Sequence, residues 1–140
     1  MNPRVRFVGV FLAGCLFFGC GRVQNDPGTG AKECVQSFFQ AIINEDWRTA
    51  YGDIAPGSPK AATLEQFAPL ARGYRINLGF EPDELHIQSC QEHGQEAIAH
   101  LILTGRNVDQ ARRYKDAIKL RRSDDGWRIV LSRTFGQRKK

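Results

Sequence analysis

The stretch of sequence that decides the fold reads YKDAIKLRRSDDGWRIVLSRTF and covers residues 114–135. Its apolar residues recur at every second position, which is the period of a β-strand with one buried face. These apolar positions are Tyr114, Ile118, Leu120, Trp127, Ile129, Leu131 and Phe135. The segment Ser123–Gly126 between the two halves has the residue types of a tight turn. The stretch therefore predicts a β-hairpin with one buried face and one solvated, basic face.

This turn also predicts which residues of the two strands lie opposite each other, because it places Arg122 opposite Trp127. The further pairs are Leu120–Ile129, Ile118–Leu131, Asp116–Arg133 and Tyr114–Phe135. Asp116 and Arg133 would then meet on the otherwise apolar face, where opposite Cβ atoms lie about 5 Å apart. Tyr114, Asp116 and Arg133 would therefore place polar groups on this face, and they are the candidate functional residues. A purely structural ion pair at the open end of the sheet is the alternative.

Upstream of the hairpin, three stretches have the 3.6-residue period of amphipathic helices. The first helix is predicted to begin near Thr29, and its apolar stripe consists of Val35, Phe38, Phe39, Ile42 and Ile43. Asp46 and Thr63 are the predicted N-caps of the second and third helices. Pro69 is expected to kink the third helix or end it early, and Gly73 to stop it.

From Asp83 onward the apolar period changes from 3.6 to two, which predicts strands. The first two strands are expected over Leu85–Gln91 and Gln95–Thr104, joined at His93-Gly94, after an irregular segment over residues 74–82. A longer loop is expected over residues 105–112, before the hairpin. Three helices followed by a four-stranded antiparallel sheet is an α+β architecture, with the helices covering one face of the sheet.

The charge of the 140-residue chain is +5, and it is unevenly distributed. Residues 106–140 hold twelve Lys and Arg against four Asp and Glu, whereas residues 20–105 hold six against eleven. This asymmetry indicates either a solvated basic sheet face or a surface that meets an anionic partner such as lipid headgroups. The basic strands lack interleaved aromatic residues, so nucleic-acid binding is disfavoured.

The N-terminus has the pattern of a secretion signal, with Arg4 and Arg6 before an apolar segment over residues 7–18. Residues 1–24 resemble a bacterial lipoprotein signal, in which an apolar-apolar-small-Cys box precedes the lipidated cysteine. The box that ends at Cys20 leaves a polar tether after cleavage, and the box that ends at Cys15 is the alternative. A plain secretory signal is a further alternative.

The lipoprotein resemblance implies a signal peptide over residues 1–19 and a flexible tether over residues 20–30. It also implies a protein of the bacterial cell envelope, anchored to a membrane through lipidated Cys20 and facing the periplasm or the exterior. In that oxidising compartment Cys34 and Cys90 are candidates for one disulfide, although the sequence does not decide whether they pair.

The order of the remaining elements is similar to that of the nuclear transport factor 2-like superfamily, which also holds the ketosteroid isomerases and polyketide cyclases. The resemblance is carried by the Asp46-Trp47-x-x-Ala50-Tyr51 helix, the Phe-bearing third helix and the long strands that end in Gly126-Trp127-Arg128-Ile129. It covers residues 31–135 and leaves a basic tail over residues 136–140. It implies a cystatin-like cone, in which a curved four-stranded sheet and N-terminal helices enclose a pocket. The apolar sheet face lines the pocket in this superfamily, so the resemblance implies that Tyr114, Asp116 and Arg133 bind a ligand.

The sequence contains no phosphate loop and no dinucleotide turn, so no cofactor is expected. His86 and His100 are predicted to share a sheet face with Cys90, but they lack tight ligand spacing and no metal is expected. We therefore predict that the pocket binds a small apolar ligand or a partner protein without catalysis. The alternatives are a small isomerase- or hydrolase-like enzyme that uses Asp116, and a module that forms a homodimer through its open sheet face.

Overall fold

The computed structural model describes residues 28–137. The helices are α1 (Ala31–Ile43), α2 (Trp47–Gly52) and α3 (Leu64–Leu78). The strands are β1 (Glu81–His93), β2 (Glu96–Asn107), β3 (Gln110–Ser123) and β4 (Gly126–Val130). They form one antiparallel sheet in the order β1-β2-β3-β4. The predicted α+β architecture is confirmed, and no helix among the described residues is long and apolar enough to cross a membrane.

Helix α1 covers the inner face of the sheet, and its predicted apolar stripe is confirmed. Val35, Phe38, Phe39 and Ile42 are fully buried, and Ile43 packs against the edge of the core. The sheet side of the core consists of Ala97, Ala99, Leu101, Leu103, Ile118, Leu120, Trp127 and Ile129. Because full burial of one large apolar side chain stabilises a fold by about 1.5–3 kcal/mol, this layer supplies most of the driving force.

The start of α1 is tied to both outer strands of the curved sheet. Glu92 of β1 accepts hydrogen bonds from the backbone N–H of Thr29 at 2.9 Å and of Ala31 at 3.2 Å. Trp127 of β4 donates its indole N–H to the Thr29 hydroxyl at 2.9 Å. Gly30 has no side chain to cap the helix, so the Glu92 carboxylate instead satisfies the N–H of Ala31, the first residue of α1. Thr29, which the sequence assigns to the tether, is thereby held against the domain.

The predicted caps of the two following helices are confirmed. The Asp46 side chain accepts from the Thr49 N–H at 3.1 Å, and the Thr63 hydroxyl accepts from the Gln66 N–H at 3.3 Å. The Gln66 side chain in turn accepts from the Ala62 N–H at 3.0 Å. The first two bonds satisfy N–H groups in the first turns of α2 and α3, and the third satisfies the N–H of Ala62, which precedes α3.

The predicted early end of α3 is wrong, because the helix continues through Pro69 and Gly73 to Leu78. It ends instead at Gly79, which has the left-handed conformation at φ 71°. The missing bond at Pro69 is offset by a buried stripe that continues to Tyr74, which is only 7% exposed. Gly73 has a packing role: a Cβ there would lie 2.5 Å from the carbonyl oxygen of Gly136.

The predicted loop over residues 105–112 is also wrong, since β2 and β3 are joined by a turn of only Val108 and Asp109. Both residues have positive φ, at 45° and 64°, which is the conformation of a type I′ hairpin turn. Asn-Gly and Asp-Gly are the usual residues of this turn, and a β-branched Val is unfavourable there. The sequence therefore contains no signal for the turn that is actually formed.

The predicted hairpin register is confirmed near its turn and wrong beyond it. Arg122 pairs with Trp127 and Leu120 with Ile129, but the ladder ends where Lys119 pairs with Val130. The chain then leaves the sheet and turns over residues 133–136 towards α3. Consequently the predicted pairs Ile118–Leu131, Asp116–Arg133 and Tyr114–Phe135 are not formed.

We expect the substitution Gly73→Ala to destabilise the protein, because the new methyl group would overlap the Gly136 carbonyl. The overlap should cost about 1–3 kcal/mol and outweigh the gain of about 1 kcal/mol in helix propensity. Urea unfolding of the full chain, followed by tryptophan fluorescence, measures the difference. The matched control is Gly52→Ala, because a Cβ at Gly52 meets nothing within 4 Å. Equal stability of the two variants would contradict the packing role of Gly73.

Candidate functional site: a cleft between α3, β3 and the C-terminal turn

A cleft of about 760 Å³ opens where the chain leaves the sheet after β4. One wall is the last turn of α3, a second is β3, and the third is the C-terminal segment. The lining residues are Tyr74, Ile76, Asn77, Leu78, Tyr114, Asp116, Ala117, Ile118, Lys119, Val130, Leu131, Ser132, Arg133, Thr134, Phe135, Gly136 and Gln137. The cleft thus combines an aromatic and aliphatic lining with a few charged side chains.

The Asp116 carboxylate is held by two hydrogen bonds at the inner wall of the cleft. The Tyr74 hydroxyl of α3 donates to Oδ2 at 2.8 Å. The backbone N–H of Ala117 donates to Oδ1 at 2.9 Å. Burial and the neighbouring Asp116 charge raise the pKa of Tyr74 well above its usual range. Tyr74 is therefore a neutral donor that joins α3 to β3 across the inner face.

Aromatic rings form the floor beside this hydrogen bond. The Tyr74 ring stacks on Phe135 at a centroid distance of 5.0 Å and an interplanar angle of 15°. Tyr114 meets the Tyr74 ring edge-on at 6.3 Å. Phe135 also stacks on Phe67 at 6.3 Å, which connects the cleft to the core. Such pairs contribute about 0.5–1.5 kcal/mol each beyond the area that they bury.

The three residues predicted to bind a ligand line this one cleft, although the predicted pairing between them is not formed. Tyr114 and Asp116 lie on β3, and Arg133 lies in the turn that follows β4. The Arg133 carbonyl accepts a hydrogen bond from the Lys60 side chain at 3.0 Å, which holds the turn in place. The partner of Asp116 is Tyr74 rather than Arg133. A ligand-binding role for these residues stays a prediction.

Sequence reasoning missed Tyr74, since it placed residues 74–82 in an irregular segment. The signal was present as helical spacing, because Phe67, Ala71 and Tyr74 lie at positions i, i+4 and i+7 and are all buried. Pro69 and Gly73 obscured this spacing because both residues usually end helices.

Cys34 lies on α1 and Cys90 lies on β1, and neither forms a disulfide. A register shift between Ile87 and Ser89 turns Cys90 towards the core, so the expectation that it shares a face with His86 is wrong. Burial, together with the nearby Asp53 charge, raises the pKa of Cys34 to about 12. Burial also raises the pKa of Cys90. A disulfide between them stays a prediction, and both thiols are weak nucleophiles as they stand.

His86 and His100 do share the outer face of the sheet, as predicted. His86 pairs with Ile102, His100 pairs with Ser89, and the His86 ring contacts the Glu84 carboxylate at 3.2 Å. Among residues 28–137 no group of three or more His, Cys, Asp and Glu side chains could hold a metal ion.

We expect the stability of the protein to decrease in alkaline solution, because Tyr74 is buried and lies beside the Asp116 charge. Because the pKa of Tyr74 is raised on folding, its stabilising effect is complete below the ordinary value of 10.0 and decreases as the pH rises above it. The decrease approaches about 1.4 kcal/mol per pH unit, and Tyr74→Phe should lack it.

At neutral pH, Tyr74→Phe should itself cost about 1–2 kcal/mol, because Asp116 loses a donor. Urea unfolding at neutral pH and above pH 10 measures both effects. A double-mutant cycle with Asp116→Asn isolates the pair. If the free energies of unfolding of the wild type and of Tyr74→Phe decreased equally above pH 10, Tyr74 would not be the source of the alkaline loss of stability.

No protein-family model matches the sequence, and no curated protein matches it. Solved structures with a similar fold do exist. A ketosteroid isomerase-like protein from Erwinia carotovora atroseptica has 18% identity and a TM-score of 0.56, over 75% of this chain and 92% of that one. An NTF2-like protein of unknown function from Shewanella oneidensis MR-1 has 9% identity and a TM-score of 0.50, over 71% and 91%.

A SEC-C motif containing protein from Rhodopseudomonas palustris also matches, at 15% identity and a TM-score of 0.53, over 70% of this chain and 73% of that one. At these identities the likeness shows the fold alone. The described domain therefore has the α+β cone fold of nuclear transport factor 2-like and ketosteroid isomerase-like proteins.

Proposed function

We propose that this domain is a non-catalytic binding domain, whose cleft takes a small apolar or amphipathic ligand or a segment of a partner protein. The observation that carries the proposal is the cleft itself. Its volume of about 760 Å³ lies within the range of about 300–1,000 Å³ that is usual for ligand pockets. About half of its lining residues are apolar or aromatic, and Asp116, Lys119 and Arg133 supply charged groups that would orient a ligand.

An exposed apolar side chain supports an apolar or amphipathic ligand. The large hydrophobic residues that are exposed among residues 28–137 are Ile76, Ile98 and Val108. Ile76 is 69% exposed and lines the cleft. An apolar ligand that covered this side chain would remove it from water.

The hydrogen bonds of Asp116 support a binding role over a catalytic one. Both carboxylate oxygens already accept from protein donors, Tyr74 and the Ala117 backbone. These two donors hold the carboxylate in place and occupy one lone pair of each oxygen, so fewer positions remain from which Asp116 could take a proton from a substrate. An isomerase- or hydrolase-like enzyme that uses Asp116 is the second candidate, favoured by the position of this carboxylate in the cleft wall.

We further propose that the domain is anchored in the bacterial cell envelope through lipidated Cys20, facing the periplasm or the exterior. Support comes from the signal-like pattern of residues 1–24, in which Cys20 and the alternative Cys15 follow small residues. Both cysteines lie outside the described residues.

We expect native mass spectrometry of the full chain to show a bound small molecule or to show binding of oleate, an amphipathic probe. Ile76→Glu should weaken oleate binding by about tenfold, because the loss of an apolar contact of about 1.4 kcal/mol corresponds to that factor. The matched control is Ile98→Glu, which changes an exposed isoleucine that does not line the cleft.

Equal oleate binding by the two variants would contradict a binding role for the cleft. The same spectra separate the two candidate functions. A co-purified molecule that wild-type protein leaves chemically unchanged, and that Asp116→Asn binds equally well, would exclude the enzyme. A dimer mass would support the alternative of a homodimer formed through the open sheet face.

We expect bacterial cells that express the full chain to attach labelled palmitate to it, and Cys20→Ala to abolish the label. Cys15→Ala is the matched control and should keep it, because Cys15 is removed with the signal peptide. Label that persists in Cys20→Ala would contradict the assignment of Cys20.

A further inference from the structure

Strand β3 is paired along its whole length on one side and only in part on the other. On the β2 side the ladder runs from the pair of Arg121 with Glu96 to the pair of Gln110 with Asn107. On the β4 side it covers only residues 119–123. Residues 110–118 of β3 therefore have an edge with no neighbouring strand among the described residues.

The alternation of an antiparallel ladder shows which backbone groups face this open edge. The Arg122 N–H donates to the Gln95 carbonyl on the β2 side at 2.8 Å, so even-numbered residues of β3 bond to β2. The odd-numbered residues Ala111, Arg113, Lys115 and Ala117 therefore direct their N–H and C=O groups towards the open edge. Ala117 fits this pattern, because its N–H is free to bond to the Asp116 carboxylate at 2.9 Å.

The cleft runs along this same edge. Its lining includes Asp116 and Ile118, which belong to the inner face of β3, and Ala117 and Lys119, which belong to the outer face. Residues from both faces can line one cleft only where it reaches the side of the strand, since successive side chains point in opposite directions. An extended chain lying in the cleft would therefore be placed to bond with the exposed backbone groups.

The other two edges of the sheet are less suited to accept a strand. The far side of β4 is occupied, because the Ile129 N–H donates to the Asp53 carbonyl at 2.8 Å and the Ala55 N–H donates to the Ile129 carbonyl at 2.7 Å. The edge of β1 contains Pro82 and two register shifts, features that oppose regular pairing. The open part of β3 has no register shift.

The charges beside the open edge indicate what kind of strand would fit. The outward side chains of its odd-numbered residues include Arg113 and Lys115, and Lys119 follows where pairing with β4 begins. All three are exposed. A second copy of β3 would bring like charges opposite one another, which disfavours self-pairing, whereas acidic side chains would be favoured. On the inner face an added strand would meet Tyr114 and Ile118, which suit apolar side chains. Asp116 lies between them, and its carboxylate already accepts hydrogen bonds from Tyr74 and from the Ala117 N–H.

We propose that the open edge of β3 binds an extended acidic peptide of a partner protein as an additional antiparallel strand. Acidic residues would alternate with apolar ones, so that the acidic side chains lie beside Arg113 and Lys115 and the apolar ones enter the cleft. The inference rests on the proposed binding function of the cleft and names the class of its partner. Backbone bonds supply the affinity, and the alternating side chains supply the specificity.

The test uses the full chain in zwitterionic nanodiscs and the probe peptide acetyl-Glu-Val-Glu-Phe-Glu-Val-Glu-amide. Fluorescence anisotropy measures its affinity, and hydrogen exchange measures protection of the Ala111, Arg113 and Lys115 amides. We expect protection of these amides and binding at least about tenfold tighter than that of the same peptide with Lys in place of Glu.

Methylation of the peptide backbone provides a matched pair of probes. In the antiparallel register the Glu residues lie opposite Arg113 and Lys115 and exchange hydrogen bonds with them, whereas the N–H groups of Val and Phe point away. N-methylation of the Glu residues should therefore abolish binding, and N-methylation of the Val and Phe residues should preserve it. Equal binding by the two methylated peptides would overturn strand addition.

Charge-reversed variants test the specificity. Arg113→Glu with Lys115→Glu should reverse the preference, so that the Lys peptide binds more tightly than the Glu peptide. The control Lys32→Glu with Arg48→Glu changes two exposed cations on the helices and should leave the preference unchanged. If the variant with Arg113→Glu and Lys115→Glu still bound the Glu peptide more tightly than the Lys peptide, the proposal of an acidic partner would be overturned. Protection of the edge amides by a second copy, without peptide, would overturn it as well.

The outcomes also separate this inference from the proposed function. Binding of oleate without binding of the Glu peptide would overturn strand addition and leave the cleft as a ligand site. Binding of neither probe would overturn both.

Discussion

The close approach of the C-terminal turn to α3 is the constraint on which the rest of the cleft depends. At Gly73 a Cβ would lie 2.5 Å from the Gly136 carbonyl, and a Cβ at Gly136 would overlap the Leu70 carbonyl. Two backbones can come this close only where both residues lack a side chain. The contact holds the C-terminal turn against the helix, so the chain does not continue along β3 after Val130.

That departure from the sheet has an energetic consequence on each side. On the helix side, Phe135 lies between Phe67 and Tyr74. Its ring is nearly parallel to both, at centroid distances of 6.3 Å to Phe67 and 5.0 Å to Tyr74. On the sheet side, among the described residues, it leaves backbone groups along one edge of residues 110–118 of β3 without a strand partner. The Asp116 carboxylate satisfies one of them, the Ala117 N–H, and accepts from Tyr74 as well. An inward-pointing charge and neighbouring cations are known means of keeping an open edge from unselective pairing.

Much of the fold could be predicted from the sequence, because periodicity and capping are local signals. The stripe of α1, the caps Asp46 and Thr63, and the turn at Ser123–Gly126 are all found in the structure. The errors occurred where tertiary packing overrode local preference. Helix α3 continues through Pro69 and Gly73 because its buried stripe continues to Tyr74. The Val108–Asp109 turn forms because the long ladder between β2 and β3 leaves only two residues to connect them.

In the candidate site, too, the features set by local sequence could be predicted and those set by tertiary packing could not. The sequence by itself determined the α+β architecture, the apolar face of the hairpin, and the presence of Tyr114, Asp116 and Arg133 near its far end. Only the tertiary structure decided that Asp116 bonds to Tyr74, that Arg133 lies across a cleft, and that β3 has an open edge. The physical reason is the separation along the sequence of the residues that determine each feature. Alternation and capping depend on neighbours along the chain, whereas the end of β4 depends on a contact between Gly73 and Gly136, which are far apart in sequence.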